Sequence, residues 1–379
     1  MKPIQPAVVP VPLVRLQKAV RSLPILRSLF WVPEGCLPDL PSLVALVGSR
    51  AAASQTTLQE VNMPQAHPSQ EGRTEQRLFV ANLAPGNVVG DALLVASSDD
   101  LVAGGIQGLF DVSDPAGHWS LRRCRFRPQS RLEGTAVLLA AAAGQNYYHW
   151  LFESLPRLRL LQQAGCDFGS VDHFLLNQHL QPFHGETLDR LGIPAHKRRC
   201  CSKARVFVCD RLVVPAPPAP PMRFPPWVLS FLREAFIPGT EPQQETRRLY
   251  ISRRGAARRR LGNEAELEAL LRCAGFKTVC LEEYSFAQQV GLFASADAVV
   301  GVHGAGLSNL VFARPGITVI EMVAPTFINH CYKNLAEALQ LNYREIVGEL
   351  PARPRKRCEE DDVWVEAAAL RKALEQSGG

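Results

Sequence analysis

Several signatures of common protein classes are missing from this 379-residue chain. Its ten cysteines form no C-x-x-C pair and no Cys/His spacing that suits zinc, so we expect reduced thiols that pack as small apolar side chains. No run approaches the ~18 apolar residues of a membrane-spanning helix. Residues 1–26, interrupted by prolines, lack the continuous apolar segment of a secretory signal. These absences predict a soluble protein of a reducing compartment, with at most a peripheral contact to a membrane.

Motifs that define common enzyme classes are also absent. Without G-x-G-x-x-G a nicotinamide cofactor is not indicated, and without G-x-S-x-G or G-x-x-x-x-G-K-[ST] neither the common hydrolase turn nor a P-loop is indicated. No Asp-x-Asp occurs, so sugar transfer with a metal bound to such a pair has no support. We therefore expect no metal and no cofactor.

What the sequence does contain is a globular composition with local clusters of positive charge. Hydrophobic residues make up 46% and charged residues 21%, and the chain is long enough for two domains with separate cores. The net charge of +6 is modest, but basic residues concentrate in 197–205 and 253–260. Such clusters suit phosphates, nucleic acid or a membrane surface. Aromatic side chains do not alternate with these clusters, which disfavours a nucleic-acid partner.

Proline content and the spacing of apolar segments divide the chain into four parts. We expect an irregular N-terminal extension in 1–75, an α/β domain in 76–226 that ends in a stiff Pro-rich hinge, a second α/β domain in 227–350, and a tail with an amphipathic helix in 351–379. Two such domains joined by a hinge create a cleft in which ligands bind.

Strand and helix patterns alternate in both domains, which is typical of a parallel sheet covered by helices. In the first domain, hairpin signals in 78–126 precede expected strands at 135–143, 171–176 and 206–214 and expected helices at 147–164 and 184–191. In the second domain and the tail, we expect strands at 248–252, 277–281, 298–302 and 317–322 and helices at 227–236, 264–274 and 364–376. Asn263 with Glu266, and Ser285 with Gln288, have the spacing of a capping box.

A glycine-rich turn formed by His303, Gly304, Ala305 and Gly306 is the most informative segment. It joins the expected buried strand 298–302 to a short helix. A turn of this kind leaves backbone N–H groups free at the positive end of a helix dipole, which makes an anion site and most often a phosphate site. His303, at the strand end, either donates to ligand oxygens or has a structural role.

Arg253 follows the expected strand 248–252, at the carboxyl end where parallel sheets bind their ligands. Its guanidinium can bind a diphosphate bidentately. A solvated basic loop is the alternative interpretation, which has more weight for Arg259 and most for Arg258. Glu321, near the end of the strand 317–322, either accepts ribose or sugar hydroxyls or forms a surface salt bridge.

The first domain contributes a histidine and a carboxylate at helical spacing. Asn146 is in capping position before the helix. His149 and Glu153 are four residues apart, hence on one helix face and within hydrogen-bonding reach. A carboxylate oriented near a histidine suits general-base work on a hydroxyl nucleophile. The alternative is an aromatic-rich core helix with one polar stripe.

Taken together, these segments resemble the signature of family 61 glycosyltransferases. The resemblance covers roughly 130–330 and is carried by 248–254, 259–264, 300–310 and 319–321, and more weakly by 146–153. It implies a GT-B-like fold of two Rossmann-like domains facing across a cleft, with the donor in the C-terminal domain. It also implies donor-binding roles for a set of residues: Ser252, Arg253, Arg259, His303, Gly304, Ala305, Gly306, Asn309 and Glu321. Glu153, oriented by His149, would be the catalytic residue, and Asn146 would lie on the acceptor side.

The resemblance implies an inverting, metal-independent glycosyltransferase. It would move a sugar from a nucleoside diphosphate, with uridine diphosphate the expected carrier, to a hydroxyl of a saccharide or glycolipid. We expect a cytoplasmic enzyme of surface polysaccharide synthesis, with possible peripheral association at the inner membrane. Two alternatives remain open: a pyruvyl-type transferase that uses phosphoenolpyruvate, and a non-catalytic binder of anionic ligands.

Overall fold

A computed structural model gives the structure of residues 55–63, 78–89, 94–97, 101–102, 129–141, 143–178, 180–201, 206–219, 222–240, 247–351 and 360–376. The chain divides into two compact units, Met1–Pro221 and Met222–Gly379. Among these described residues, no helix has the length and apolar character needed to cross a membrane.

One mixed sheet forms the centre of the N-terminal unit. Its strands are β1 Gln55–Val61, β2 Leu78–Ala84, β3 Gly86–Val89, β4 Leu94–Ser97, β5 Leu101–Val102, β6 Gln129–Leu138, β7 His173–Leu176, β8 Arg198–Cys200 and β9 Val206–Pro215. β9 pairs in parallel with β6 and antiparallel with β2 and β3, and β6, β7 and β8 are mutually parallel neighbours in that order. The expected parallel sheet is therefore confirmed for β6 to β9 alone. β3, β4 and β5 are antiparallel because short hairpins cannot join parallel strands.

Strand β1 corrects the expectation of irregular structure in 1–75. It pairs antiparallel with β2 along its whole length, from Gln55 opposite Ala84 to Val61 opposite Leu78. Its sequence is mostly polar and lies beside proline-rich segments, so the apolar pattern that marks a strand is weak. The remaining parts of this segment, 1–54 and 64–75, lie outside the described residues. So does 103–126 of the expected hairpin region.

The helix expected at 147–164 is not continuous. It consists of α1 Tyr147–His149, a π-helical segment Trp150–Ser154 and α2 Arg157–Gln163. Proline has no N–H to donate four residues back and its ring crowds that carbonyl. Pro156 therefore interrupts the ladder, and the Leu155 amide bonds five residues back to the Trp150 carbonyl at 3.0 Å. The expected helix 184–191 is confirmed as α3 Pro182–Arg190.

The C-terminal unit contains a five-stranded sheet in the order β11-β10-β12-β13-β14, with every pair parallel. The strands are β10 Arg248–Ile251, β11 Lys277–Val279, β12 Ala298–Val302, β13 Thr318–Val323 and β14 Asn342–Val347. Its helices are α4 Pro226–Phe236, α5 Glu264–Cys273, α6 Phe286–Ser295, α7 Cys331–Ala338 and α8 Ala367–Glu375. The predicted strand–helix alternation and parallel sheet are confirmed here. All five residues of β12 are buried, as its apolar sequence predicts.

The two predicted capping boxes have different outcomes. Ser285 and Gln288 form theirs at the start of α6. Asn263 makes no capping bond at the start of α5, so that prediction was wrong. Its amide instead donates to the Val365 carbonyl at 2.9 Å and to Glu266 at 3.0 Å, because residues near the C-terminus lie against it.

The C-terminal helix begins later than expected. The predicted helix 364–376 is confirmed over α8, but Trp364 precedes the helix and pairs with Glu349 in an isolated antiparallel bridge. Leu370 and Ala373 of α8 pack in the same buried cluster as Leu267 and Leu271 of α5. The C-terminal segment is thus part of the core of this unit.

Candidate active site

The glycine-rich turn connects β12 to a buried 3₁₀-helix, Ala305–Phe312. The first backbone bond of that helix runs from the Leu307 amide to the Gly304 carbonyl at 3.0 Å. The amides of residues 304–306 therefore precede the hydrogen-bonded ladder, where donors are available to a ligand. A Cβ added to Gly306 would lie 2.7 Å from Cδ1 of Leu281, so a larger residue there would displace that side chain.

Arg253 lies against this turn. A Cβ added to Gly304 would come within 2.0 Å of its Nη1 atom, so the guanidinium directly contacts the glycine backbone. Its Nε donates to the Arg259 carbonyl at 2.9 Å, and its Nη2 donates to the Arg258 carbonyl at 3.0 Å. Burial, and then the neighbouring charge of Arg259, lower the pKa of Arg253 to about 10. The side chain remains a cation at neutral pH, and the structure brings it together with the turn.

Ser252 lies at the same strand end but faces other protein groups. Its hydroxyl donates to Glu264 at 2.6 Å and accepts from Nε of Arg254 at 3.1 Å. Arg254 in turn pairs with Glu268 at 3.1 Å. Of these two neighbouring arginines, Arg253 contacts the glycine-rich turn and Arg254 is paired with an acid of α5.

His303 is the first member of a chain of buried polar side chains. Its Nδ1 lies 2.5 Å from Oε1 of Glu321, and Tyr343 donates its hydroxyl to Oε2 of the same carboxylate at 2.6 Å. Glu321 is fully buried, and His303 is nearly so. Burial and the adjacent Glu321 charge raise the pKa of Tyr343, which keeps its hydroxyl a donor. Glu321 therefore orients His303, because Nδ1 is engaged and Nε2 is left for other partners. A surface salt bridge, the alternative for Glu321, is wrong.

Asn309 is fully buried and hydrogen-bonds to the glycine-rich turn. Its amide donates to the Gly306 carbonyl at 3.1 Å and to Gln289 of α6 at 2.9 Å. These bonds hold the turn to the neighbouring helix.

Arg259 and His303 line a small pocket together with Phe327, Asp361 and three apolar residues, Val302, Ala324 and Val363. The guanidinium carbon of Arg259 is 5.5 Å from the centre of the Phe327 ring. Its Nε is buried and has no hydrogen-bond partner among the described residues. Burial lowers the pKa of Arg259. A buried cationic donor without a protein acceptor is suited to an anionic ligand.

In the N-terminal unit, the predicted histidine–carboxylate pair is present. The Asn146 side chain accepts from the Tyr148 amide at 2.9 Å, which confirms its capping position. Nδ1 of His149 lies 2.9 Å from Oε1 of Glu153. Oε2 of Glu153 is buried and has no partner among the described residues. Glu153 lies on the π-helical segment, a geometry that is frequent at functional sites.

Arg157 is a residue of this site that the sequence did not reveal. Its guanidinium is fully buried and donates to the carbonyls of Glu153 and Ala140 at 3.0 and 3.2 Å. Burial lowers its pKa to about 10, although the Glu153 charge opposes the shift.

Sequence reasoning also missed Tyr343, Phe327 and Asp361. Tyr343 comes from β14, a strand outside the predicted set, and reaches Glu321 because β14 pairs with β13. Asp361 comes from the C-terminal segment, which has no motif. The acidic run 359–362 is a signal in the sequence that could have indicated this contact, because it can neutralise the arginines of 258–260.

Comparisons with known proteins agree with the resemblance noted above. The model of the family described as Glycosyltransferase 61 matches residues 147–320. The EGF domain-specific O-linked N-acetylglucosamine transferase of Drosophila melanogaster is 36% identical over 111 residues, which are 28% of this chain and 21% of that protein. The match thus spans about a fifth of the relative's length. The resemblance to family 61 is confirmed over residues 147–320, which are just under half of the chain.

Proposed function

We propose that this chain transfers a sugar from a nucleoside diphosphate to an acceptor hydroxyl, with inversion at the sugar and without a bound metal. The proposal assigns donor binding to the C-terminal unit and removal of the acceptor proton to the N-terminal unit. A GT-B-like pairing of the two units and a uridine diphosphate sugar as donor are parts of the same proposal.

The contact of Arg253 with the Gly304 turn is the observation that carries the proposal. The Arg253 guanidinium contacts the turn, and the amides of residues 304–306 precede the helical ladder. A second arginine, Arg259, whose buried Nε has no partner among the described residues, lines a pocket with His303. Each hydrogen bond from arginine to phosphate is worth about 1.5–3 kcal/mol. The helix dipole adds about 0.3–1 kcal/mol. We therefore assign most of the stabilisation of the departing diphosphate to the arginines.

Glu153 is the proposed base. Its Oε2 atom makes no hydrogen bond to a described residue, while Oε1 is held by His149. An acceptor hydroxyl bound to Oε2 would lose its proton as the bond to the sugar carbon forms and the bond to the diphosphate breaks.

The acceptor has two candidate classes. A saccharide or glycolipid of surface polysaccharide synthesis, in a cytoplasmic protein peripheral to the inner membrane, is the class expected from the sequence. A protein hydroxyl within an EGF domain, with N-acetylglucosamine as the sugar, is the second class, because that reaction is named in the similar Drosophila protein. Incubation of the protein with each acceptor and radiolabelled uridine diphosphate N-acetylglucosamine distinguishes them.

A melting-temperature screen tests the donor. We expect nucleoside diphosphates and their sugars to raise the melting temperature, because a ligand that binds the folded state stabilises it. Stabilisation by phosphoenolpyruvate and by no nucleotide would support the pyruvyl-type alternative. Salt-sensitive retention on acidic vesicles, with no nucleotide effect, would support a non-catalytic binder instead.

Two glycine variants test whether the nucleotide stabilises the protein by binding at the glycine-rich turn. Gly304→Ala places a methyl group against the flexible end of Arg253, so the fold should persist while nucleotide stabilisation falls. Gly255→Ala is the matched control, because its added Cβ meets nothing within 4 Å. Equal nucleotide stabilisation of both variants would contradict the proposed donor site.

A further inference from the structure

Arg157, the first residue of α2, has its guanidinium in the interior of the N-terminal unit. The residue is 0% exposed, so its side chain has no surface with which to contact a substrate. Its Nε donates to the Glu153 carbonyl at 3.0 Å, and its Nη1 donates to the Ala140 carbonyl at 3.2 Å. Burial of a cation is costly unless its donors are bonded. The guanidinium thus joins two backbone positions, and one of them belongs to the proposed base.

The bond to the Glu153 carbonyl lies where the helix changes its backbone pattern. Before this point, the Leu155 amide donates five residues back to Trp150, and after it the Leu158 amide donates three residues back to Leu155, each at 3.0 Å. In a regular α-helix, the carbonyl of residue 153 accepts from the amide of residue 157. Here the side-chain Nε of Arg157 donates to that carbonyl. The side chain therefore holds Glu153 at a point where the backbone ladder is irregular.

The other anchor, Ala140, belongs to a segment that is fixed to the sheet just after β6. The amides of Leu139 and Ala140 both donate to the Leu175 carbonyl of β7, at 3.0 and 2.9 Å. Ala141 exchanges two bonds with the buried Asn177 side chain, at 3.2 and 2.8 Å. Through Arg157, the backbone of Glu153 is tied to a segment that the sheet itself holds in place.

The position of this backbone determines where the Glu153 carboxylate can lie. His149 is 2.9 Å from Oε1, but it precedes Glu153 by one helical turn and moves together with it. It cannot fix the carboxylate relative to the sheet, whereas Arg157 can. A general base must lie within about 2.6–3.2 Å of the group that it deprotonates. A displacement of ~1 Å can cost roughly 10²-fold in rate.

We propose that Arg157 is a positioning residue for the base: it holds the backbone of Glu153 against the end of β6, so that Oε2 lies within reach of the acceptor hydroxyl. This inference rests on the proposed function, in which Glu153 removes the acceptor proton. It gives the buried guanidinium a role in turnover although the guanidinium does not contact the substrate.

A double-mutant cycle on the full-length protein tests the proposal. Turnover at saturating donor and acceptor is measured with radiolabelled donor for the unaltered protein, Arg157→Met, Glu153→Gln and the double variant. Arg157→Met should lower turnover about tenfold or more, because the base is no longer held in place. The donor dissociation constant should stay within about twofold, because donor binding is assigned to the other unit. In the Glu153→Gln background the same substitution should lower turnover less than about threefold, because the base is already absent.

Two further variants separate positioning from a general loss of stability. Arg157→Lys is measured in both backgrounds, in case Arg157→Met does not fold. Its single ammonium lacks the planar fork that reaches two carbonyls, so its turnover should lie between those of Arg157→Met and the unaltered protein. Arg198→Met is the control in the same unit, because Arg198 also bonds a backbone carbonyl, that of Ile193 at 3.1 Å, and pairs with Asp189. It should keep turnover within about twofold in both backgrounds.

The outcomes separate the inference from the proposed function. The role of Arg157 is overturned if its variants keep turnover within about threefold, or if they lose the same factor with and without Glu153. It is also overturned if neither Arg157 variant folds, because the side chain then serves folding alone. Each of these results leaves Glu153 as the base. Turnover of Glu153→Gln equal to that of the unaltered protein overturns the base assigned in the proposed function, and this inference with it.

Discussion

Each unit of the protein contains a histidine whose Nδ1 atom faces a glutamate. The two pairs differ in whether both oxygens of the carboxylate have hydrogen-bond partners among the described residues. His149 and Glu153 are 2.9 Å apart, and His303 and Glu321 are 2.5 Å apart. Glu321 is fully buried and has a hydrogen bond on each oxygen. The Glu153 side chain is 17% exposed, and its Oε2 atom has no partner among the described residues.

This difference indicates different roles for chemically identical pairs. A carboxylate with both oxygens occupied can hold a histidine ring in one orientation, as supporting carboxylates do around metal sites and catalytic histidines. A carboxylate with one oxygen hydrogen-bonded and the other without a partner can be held in one orientation and still accept a proton. In the proposed function, the buried pair accordingly supports binding and the partly exposed pair carries out proton transfer.

The largest expected effect concerns Glu153, the carboxylate with an unpartnered oxygen among the described residues. Glu153→Gln keeps the size of the side chain and removes its basicity, so turnover should fall roughly 10²–10⁴-fold. The donor dissociation constant, measured separately by calorimetry, should stay the same because donor binding is assigned to the other unit. Glu133→Gln, an exposed position of β6, is the control. Turnover of Glu153→Gln within a few-fold of the unaltered protein would remove Glu153 as the base.

The two adjacent arginines provide the next test, on the binding side of the comparison. Arg253→Ala should weaken donor binding by about 1.5–3 kcal/mol for each phosphate bond lost. Arg253→Lys should recover only part of this, because an ammonium lacks the planar fork. Arg254→Ala is the matched control: its ion pair with Glu268 is partly exposed and worth about 0–1 kcal/mol.

Calorimetric titration of the donor measures all three arginine variants, and circular dichroism checks their folding. Equal losses for Arg253→Ala and Arg254→Ala would mean that the basic loop acts through its net charge. In that case the contact with Gly304 has no special role.

The C-terminal unit was largely predictable because its signals are local. The strand 298–302 is an unbroken apolar run, Ser285 and Gln288 cap a helix within four residues of each other, and both features appear as expected. The contact of Arg253 with the turn followed from one general property, that parallel strands end at the same edge of their sheet. β10 and β12 are paired neighbours, with Ile251 opposite Gly301.

The rest depends on partners distant in sequence. β1 is defined by its pairing with β2. The π-helical segment around Glu153 depends on Pro156, and the effect of this proline on the preceding turn shows only in the folded helix. Tyr343 of β14 contacts Glu321, which lies 22 residues earlier in the chain. Asp361 lines a pocket with His303, which lies 58 residues earlier. No spacing rule connects such positions in a single sequence.

A smaller effect should follow from the hydroxyl that completes the buried pair. Tyr343→Phe leaves Oε2 of Glu321 without its 2.6 Å donor, and a buried acceptor that loses its partner costs about 1–3 kcal/mol of unfolding free energy. Urea unfolding measures the loss. Tyr284→Phe is the control, because the Tyr284 hydroxyl makes no hydrogen bond among the described residues. Equal unfolding free energies for the two variants would show that Glu321 does not need Tyr343.

The smallest effect concerns Glu268, a carboxylate of the same unit that contacts solvent. The Thr278 hydroxyl, and then Arg254, hold its pKa below the ordinary value for a glutamate. A lowered pKa in the folded state gives stability that is present above the ordinary pKa and is lost as the pH falls through the lowered one. Thr278→Val removes the main cause, so the Glu268 carboxyl should titrate at higher pH and stability should depend less on pH below about 4. Titration by NMR measures the shift, and Thr318→Val is the control on β13. If Glu268 titrates at the same pH in Thr278→Val and Thr318→Val, its pKa does not depend on its hydroxyl partner. Glu268 then differs even more from Glu321, whose two oxygens are both hydrogen-bonded.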